Sequence, residues 1–351
     1  MCLSLCGALK PMAVAAVALA AACWCLAAPG GGDAAPAGGA ATGLVYDDVY
    51  LKHDTGPDHP ERPERLTAIV AELKREGLYE RLRLIKPRRP ELRWLELIHS
   101  PGYIAEVQRA CREGVPYMHS LDTPICRESY DVALMAVGGV LAAVDAVVAG
   151  EVANAFCAIR PPGHHALRDR AMGFCLFNNV AIAARYAQQK HGLKRVLIVD
   201  WDVHHGNGTQ AAFYDDPTVL YFSTHRYPYY PGTGSRSETG EGEGKGFTLN
   251  VPLPAGSDDR AFVRAFEEVL RPAALKFRPD IILISAGFDA HRDDPLGGMK
   301  MTADGYGELT RIVKDIAQRT CRGRVVSVLE GGYDLQALGR CVAAHIRELM
   351  K

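Results

Sequence analysis

The sequence predicts an α/β protein in which a mainly parallel β-sheet is covered by helices. From Gly43 onward, short apolar runs alternate with longer segments whose apolar residues recur every three or four positions. This alternation is typical of parallel strands joined by helical crossovers. Several of the short runs are rich in valine and isoleucine, as expected for strands buried on both faces. The chain contains no internal repeat.

Eight short segments have the length and composition of strands. In chain order they are Leu44–Tyr46, Arg83–Lys86, Ala155–Ile159, Arg195–Asp200, Val219–Ser223, Phe247–Val251, Ile281–Ser285 and Val325–Leu329. Longer segments of helical period fill most of the gaps between them. The clearest of these are Arg65–Glu76, Tyr103–Glu113, Tyr130–Ala149, Asn179–Gln189, Arg260–Lys276, Tyr306–Arg319 and Leu335–Met350.

The composition is that of a folded globular protein. The chain has 351 residues, of which 48% are hydrophobic and 23% charged, so a sizeable core of one or two domains is available. Its formal net charge of −1 provides no basic surplus, so we expect no binding to nucleic acid through bulk electrostatics. Any partner must therefore be recognised by local contacts.

Residues 1–42 resemble an export signal followed by a Gly/Ala/Pro linker, and residues 43–351 form the predicted functional domain. The leader has one lysine, Lys10, and an apolar run from Pro11 to Ala28 that ends in small residues. This pattern favours a cleaved signal over a membrane anchor, and hence an exported or periplasmic protein. The alternatives are an organellar presequence, a retained anchor with membrane contact, or a start codon wrongly assigned upstream of Met12, and the alternative locations are organellar or cytoplasmic.

The cysteines do not predict a metal site. Four of the ten lie in the leader, and the other six are scattered without C-x-x-C spacing. Cys157, Cys175 and Cys321 lie in or beside apolar segments, where a free buried thiol is the commoner state.

Polar clusters follow four of the predicted strands directly. They are Arg160–His165, Asp200–Asn207, Gly287–Asp294 and Glu330–Asp334. In open α/β sheets, ligands bind outside the carboxyl ends of the strands, so loops far apart in sequence can meet there. The sequence therefore predicts one active site built from these four loops.

The second cluster contains a candidate metal site. Asp202 and His204 are two residues apart, so in extended backbone their side chains point the same way, together with that of Asp200. We choose Asp289 as the third ligand, because three protein ligands with an open position are the arrangement of catalytic zinc. A lone D-x-H is more often a solvated turn or a helix cap. The convergence of four clusters favours the metal site.

Two further motifs carry side chains suited to catalysis. His164 and His165 follow Pro-Pro-Gly, and a histidine pair facing a metal would supply a general base and a second donor. Tyr333 follows two glycines that would let its hydroxyl reach a substrate. The alternatives are surface imidazoles in a turn and a tyrosine packed in the core.

Seven ordered motifs together resemble the histone deacetylase family, particularly its class II and bacterial histone deacetylase-like members. The resemblance spans roughly Gly43 to the C-terminus, and implies an arginase-like three-layer α/β/α fold with a central eight-stranded parallel sheet. The motifs are His59-Pro60-Glu61-Arg62-Pro63-Glu64-Arg65, Pro161-Pro162-Gly163-His164-His165, Gly173-Phe174-Cys175, Asp200-Trp201-Asp202-Val203-His204-His205-Gly206-Asn207, Pro231-Gly232-Thr233-Gly234, Ser285-Ala286-Gly287-Phe288-Asp289 and Glu330-Gly331-Gly332-Tyr333.

The resemblance implies roles for the catalytic residues. One Zn²⁺, held by Asp202, His204 and Asp289, would polarise the acetyl carbonyl and activate a water. His165 would be the general base and later the general acid, with His164 as a second donor to the water. Their implied partners are Asp200 for His164 and Asn207 for His165, and Tyr333 would stabilise the tetrahedral oxyanion.

The resemblance also implies substrate and potassium contacts. Gly173, Phe174 and Tyr230 match positions that flank the acyl-lysine tunnel. A first K⁺ would be bound through Asp200, Asp202, His204, Ser223 and Thr224, and a second around Phe213, Asp216, Val219 and Phe247. In polyamine-selective class II relatives a glutamate stands where Leu296 stands here, so this chain is expected to prefer acetyl-lysine in peptides or a small acylated amine.

Three other functions stay open from the sequence. The runner-up is an acetylpolyamine amidohydrolase. A catalytically silent deacetylase fold that serves as a binding module is opposed by the complete set of ligands, histidines and tyrosine. An arginase-like hydrolase with two manganese ions would need two complete metal sites. The sequence supplies one complete metal site, not two.

Overall fold

Residues 41–351 are built around one eight-stranded sheet, and every neighbouring pair of its strands is parallel. The structure is a computed structural model that describes residues 7–8 and 41–351. All eight predicted strands are confirmed, with ends that differ by three residues at most. Strands β1 to β8 span Thr42–Val45, Arg83–Ile85, Asn154–Cys157, Val196–Asp200, Val219–Arg226, Thr248–Leu253, Ile281–Ala286 and Val325–Leu329, and lie in the order β2-β1-β3-β8-β7-β4-β5-β6.

Ten α-helices are found in residues 41–351. Helices α1 to α10 span Glu64–Arg75, Leu92–Leu95, Pro101–Glu113, Ser129–Val148, Asn179–His191, Asn207–Ala212, Asp259–Ala265, Arg271–Phe277, Ala303–Cys321 and Leu335–Leu349. The predicted helix Arg260–Lys276 is divided into α7, a π-helical turn at Phe266–Leu270, and α8. Helices α2 and α6 were not predicted, because four and six residues are too few to show a helical period.

The helices form two layers on the sheet. Helix α4 packs on α5, and the two contact β3, β8, β4 and β7. Helix α10 packs between α1 and α9, and this second group contacts β3 and β7 as well. Two groups of helices that share strands but pack mainly among themselves cover opposite faces, which gives the three-layer α/β/α arrangement.

The central strands explain why the polar clusters meet. Every residue of β4 and β7 is buried, and both strands are built almost entirely from valine, isoleucine and leucine. The two strands end within one residue of each other, because Asp200, the last residue of β4, pairs with Ser285 of β7 on one side and with Ser223 of β5 on the other. The loops that follow β3, β8, β7 and β4 therefore leave the sheet side by side.

Helix α4 is unusually apolar. By length and composition alone it could cross a membrane, since an 18-residue window of this 20-residue helix has a mean hydropathy of 2.0. However, 78% of that window is buried inside the protein, against α5 and the sheet. We interpret α4 as a core helix.

The leader largely lies outside the described residues, apart from residues 7–8 and 41–42. The boundary near residue 43 and the four leader cysteines therefore stay predictions. The six cysteines of residues 41–351 are all free. Among them Cys157, Cys175 and Cys321 are buried, as predicted.

Candidate active site

The four polar clusters lie together at the carboxyl edge of the sheet. They follow β3, β4, β7 and β8, which occupy the four central positions of the strand order. Between them is a cavity of about 200 Å³ that opens to solvent. Its lining residues are Asp122, Pro162, His164, His165, Gly173, Phe174, His204, Tyr230, Leu296, Gly331 and Tyr333.

Asp202, His204 and Asp289 are grouped closely enough to hold a metal ion, and His204 also lines the cavity. One ligand atom from each lies within 4.8 Å of the others, and all three residues are buried. The Nδ1 atom of His204 is 3.1 Å from Asp202 Oδ1 and 3.1 Å from Asp289 Oδ2. Donor atoms of a tetrahedral zinc site lie roughly 3.3–3.6 Å apart, so the set fits Zn²⁺ in spacing and in chemistry.

The electrostatics of these carboxylates also favour a cation. Burial and the nearby charge of Asp202 raise the pKa of Asp289, because two buried carboxylates so close together resist joint ionisation. Backbone N–H groups orient them: Gly331 donates to Asp202 Oδ2 at 2.8 Å, and Val203 donates to Asp289 Oδ1 at 2.8 Å. A Cβ on Gly331 would lie 2.2 Å from Asp289 Oδ2, so this close approach requires glycine.

His164 is held as a cation by carboxylates. Its Nδ1–H donates to Asp200 Oδ2 at 3.0 Å, and its Nε2 lies 3.8 Å from Asp202 Oδ1. Burial alone would lower the pKa of His164, but the charges of Asp200, Asp202 and Glu330 outweigh it and raise that pKa to about 10. Burial also raises the pKa of Asp200, although the charge and the hydrogen bond of His164 oppose that shift.

His165 is neutral by contrast. Its Nδ1–H donates to Asn207 Oδ1 at 2.8 Å, which leaves Nε2 with a free lone pair. Burial, and then the positive charges of His164 and His204, lower the pKa of His165 well below its ordinary value. Asn207 is the first residue of α6, so the strand end that carries Asp202 and His204 leads directly to the partner of His165.

Tyr333 and Phe174 both line the cavity, and their rings meet edge-to-face with centroids 5.8 Å apart. Burial and the charges of Asp289 and Asp202 raise the pKa of Tyr333 well above its ordinary value, so its hydroxyl remains a hydrogen-bond donor. The guanidinium of Arg65 lies 5.1 Å from the tyrosine ring centroid.

Gly173 and Tyr230 also line the cavity. Gly173 has φ +56°, and a Cβ there would lie 2.4 Å from His165 Cδ2, so only glycine lets the backbone pack on that imidazole. The ring of Tyr230 meets His165 edge-on at 5.1 Å, and its hydroxyl donates to Asp122 at 3.3 Å. Leu296 lies at the mouth, where its carbonyl accepts from Tyr229 at 2.8 Å.

The potassium candidates divide into two places. Asp200 and Ser223 are paired in the sheet next to the site, and Thr224 follows them on β5. Phe213, Asp216 and Val219 lie near the start of β5, and the Phe247 carbonyl accepts from Tyr221 there. This second group is separate from the cavity.

Two buried carboxylates that sequence reasoning did not single out support the site. Glu330 accepts from the backbone N–H groups of Gly163 and His164 at 2.7 and 3.2 Å, and so orients the histidine loop. Glu61 accepts from Arg160 at 2.8 Å and from Arg65 at 3.2 Å, with all three side chains buried. The His59–Arg65 motif was the only signal for Glu61, and the sequence gives no indication that Asp122 lines the cavity.

Comparisons with known proteins agree with this geometry. The family model for the histone deacetylase domain matches residues 59–349. A probable deacetylase of Archaeoglobus fulgidus is 42% identical over 84% of this chain and 82% of its own. Human polyamine deacetylase HDAC10 is 41% identical over 88% of this chain and 46% of its own. The crystal structure of the HDA15 HD domain superposes with a TM-score of 0.83 at 40% identity, covering 89% of this chain and 88% of that one.

Fold and site together define a hydrolase that has the arginase-like fold and acts on amide bonds. The chain belongs to the histone deacetylase family.

Proposed function

We propose that this deacetylase is zinc-dependent and hydrolyses the acetyl amide of acetyl-lysine in peptides or of a small acylated amine. The observation that carries the proposal is that a metal-ligand set, a neutral histidine and a tyrosine hydroxyl meet at one cavity. The neutral His165, the protonated Tyr333 and His204 line this cavity together. Asp202 and Asp289 complete the ligand set beside His204.

Each group at the cavity would have a separate role in the reaction. A bound Zn²⁺ would act as a Lewis acid toward the acetyl oxygen and the water. His165 would take a proton from the attacking water at Nε2, and would later deliver it to the leaving amine. The imidazolium of His164 would donate a hydrogen bond to the water. Tyr333 would donate to the oxyanion, where its contact exists only in the transition state.

Tyr333→Phe tests this mechanism. It should lower kcat on an acetyl-lysine peptide about a hundred- to a thousandfold, with little change in KM, because the lost bond forms in the transition state. Tyr79→Phe, at a turn remote from the cavity, is the control and should leave kcat unchanged. Full activity of Tyr333→Phe would rule out its role.

Zinc content tests the metal and opposes the binding-module alternative. Elemental analysis of the purified protein should give about one zinc per chain, and a hydroxamate chelator should abolish turnover. A protein that holds no divalent ion, or that holds zinc but turns over no acylated amine, would instead favour a silent module.

Substrate preference separates the main proposal from the polyamine alternative. Leu296 at the cavity mouth cannot attract a second ammonium group, which supports acetyl-lysine, whereas the similarity to HDAC10 favours a polyamine. We expect higher kcat/KM on an acetyl-lysine peptide than on acetylspermidine. Leu296→Glu should shift that ratio toward acetylspermidine, because it places a carboxylate at the mouth. A wild-type protein that prefers acetylspermidine would establish the alternative.

We also propose two structural K⁺ sites, by the family resemblance. The burial of Asp200, Ser223 and Thr224 beside the metal ligands supports the first. A thermal unfolding temperature that is higher in KCl than in choline chloride of equal ionic strength would support K⁺ binding, and equal values would exclude it. The residues are Asp200, Asp202, His204, Ser223 and Thr224 for the first site, and Phe213, Asp216, Val219 and Phe247 for the second.

Export is a further part of the proposal. The apolar run from Pro11 to Ala28 and its small-residue end support a cleaved leader before the domain 43–351. Mass spectrometry of the mature N-terminus should find a chain that begins after this run. An intact Met1 on protein recovered from the cytoplasm would contradict export.

A further inference from the structure

Asp294 is a buried carboxylate that joins two walls of the active site. It is 8% exposed. Its Oδ2 accepts from the backbone N–H groups of Tyr333 at 2.6 Å and Asp334 at 3.4 Å. Its Oδ1 accepts from the backbone N–H of Leu296 at 2.9 Å. One side chain therefore holds three amide groups from two segments that are about forty residues apart.

A local turn accounts for one of these contacts but not for the other two. The bond from Leu296 to Asp294 is an ordinary Asx-type turn, in which an aspartate accepts from the backbone two residues ahead. The bonds from Tyr333 and Asp334 span 39 and 40 residues and cross from the β7 loop to the β8 loop. A carboxylate is a stronger hydrogen-bond acceptor than a neutral amide, so the side chain of Asp294 holds the two loops together strongly.

Both segments carry side chains of the cavity. Tyr333 follows Gly332, whose φ of +119° gives its backbone little intrinsic restraint, and α10 begins at Leu335. Leu296 is fixed on its other side by the hydroxyl of Tyr229. The Asp294 carboxylate is thus the direct contact between the backbone of the tyrosine and the mouth of the cavity.

We propose that Asp294 is a positioning residue, which fixes the Tyr333 hydroxyl relative to Leu296 and to the reacting carbonyl. The proposal rests on the role of Tyr333 in the proposed function. A misplacement of about 1 Å can cost a hundredfold in rate, so loss of this cross-link acts on turnover through the tyrosine. Asp294 itself touches no reacting atom.

The test is a double-mutant cycle with Tyr333, on zinc-loaded full-length protein. Asp294→Ala should lower kcat about ten- to a hundredfold, with less than a threefold change in KM. In the Tyr333→Phe background the same substitution should lower kcat by no more than about twofold, because the hydroxyl that it positions is absent. Asp294→Asn, whose amide oxygen can still accept from Tyr333, should show a smaller loss than Asp294→Ala.

Asp293→Ala is the matched control. Asp293 precedes Asp294, but its side chain is 52% exposed and faces Arg340 at 3.5 Å. It should leave kcat, KM and zinc content unchanged. Zinc content of every variant, measured by elemental analysis, separates loss of positioning from loss of the ion.

Hydrogen exchange gives a second readout that does not depend on turnover. Amides in peptides that cover 294–297 and 331–335 should exchange faster in Asp294→Ala than in wild type or Asp293→Ala. Unchanged exchange, or an equal loss of kcat in both tyrosine backgrounds, would overturn the proposal. If Tyr333→Phe is fully active, the proposed role of the tyrosine is wrong, and the exchange rates alone decide whether Asp294 holds the two segments.

Discussion

At the residue scale, the two adjacent histidines differ because different acceptors hold their Nδ1 atoms. Asp200 carries a negative charge and stabilises the His164 imidazolium, whereas the Asn207 amide stabilises charge on His165 far less. Their rings lie only 4.0 Å apart, so the charge on one further disfavours charge on the other. The pair therefore supplies one cation and one neutral imidazole.

Replacement of Asn207, the neutral hydrogen-bond partner of His165, by aspartate should move the pH dependence of the reaction. Asn207→Asp places a carboxylate beside His165 Nδ1 and should raise the pKa of His165. The base must be unprotonated, so the acidic limb of the kcat/KM profile should move to higher pH by about one unit or more. An unchanged profile would remove the distinction between the two histidines.

The predictable residues of the candidate site are those whose chemistry is visible in a short motif. The spacing of Asp202 and His204 predicted a shared orientation, because extended backbone repeats every two residues. The contacts of Asp294 and Glu330 could not be predicted in this way. Their partners lie 39 and about 166 residues away, and a carboxylate that accepts backbone N–H groups needs no particular residue type opposite it.

At the element scale, Glu61 connects three parts of the fold. Arg160 follows β3 and Arg65 lies on α1, and both guanidiniums donate to this carboxylate. Burial would raise the pKa of Glu61, but the two arginines lower it to about 2. The cluster is therefore fully ionised and fully buried.

Removal of the buried negative charge of Glu61 should destabilise the protein strongly. Glu61→Gln leaves two buried guanidiniums without a carboxylate and should lower the free energy of unfolding by about 3–5 kcal/mol. Glu64→Gln is the control: Glu64 is 59% exposed and 3.9 Å from Arg62, so its loss should cost under about 0.5 kcal/mol. Urea denaturation of both variants would reveal the difference, and equal values would mean that the buried cluster adds no stability.

Helix α4 offers a test of close packing at the same scale. A Cβ on Gly138 would lie 1.7 Å from the carbonyl oxygen of Arg88, so the helix and that segment touch backbone to backbone. Gly138→Ala should lower the free energy of unfolding by about 1–3 kcal/mol, although alanine favours helix.

The matched control is Gly102→Ala on α3. The nearest atom to its added Cβ is Ser100 Oγ at 3.9 Å, so the substitution should be neutral or stabilise by up to about 1 kcal/mol. If thermal unfolding shows the same change for both alanines, the contact at Gly138 does not constrain the helix.

The secondary structure was more predictable than the way its elements pack. Strands such as β4 and β7 are recognisable because burial on both faces demands a continuous apolar run. The division of the predicted helix Arg260–Lys276 was not predictable, since its period continues through the π-helical turn. The order of strands in the sheet depends on long-range contacts that leave no periodic signal.

At the scale of the whole molecule, neutral histidines buried in the core make the fold sensitive to acid. Burial lowers the pKa of His345 to about 3, and lowers that of His53, His99 and His225 to about 4. Unfolded histidine binds a proton near pH 6.5, so these four contribute stability above that pH and lose it as the pH falls toward 3–4. Each should cost about 2 kcal/mol at pH 5 relative to pH 7.

His345→Gln isolates one of these contributions. Whatever its stability at pH 7, this variant should lose about 2 kcal/mol less than wild type between pH 7 and pH 5, measured by urea denaturation at each pH. Thr310→Val removes the hydroxyl 2.7 Å from His345 Nδ1 but keeps the imidazole, so it should retain the wild-type difference. Identical pH dependence in His345→Gln would contradict the assignment.

The place of β8 in the sheet has a consequence for how the protein is made. It is the last of the eight strands in chain order, yet it lies between β3 and β7. Until β8 is synthesised, β3 and β7 each lack the strand that pairs with their inner edge, and unpaired strand edges can recruit other chains. Synthesis of β8 closes both edges, and Tyr333 emerges four residues later. The strand that pairs with both inner edges is thus followed directly by the last group of the proposed active site.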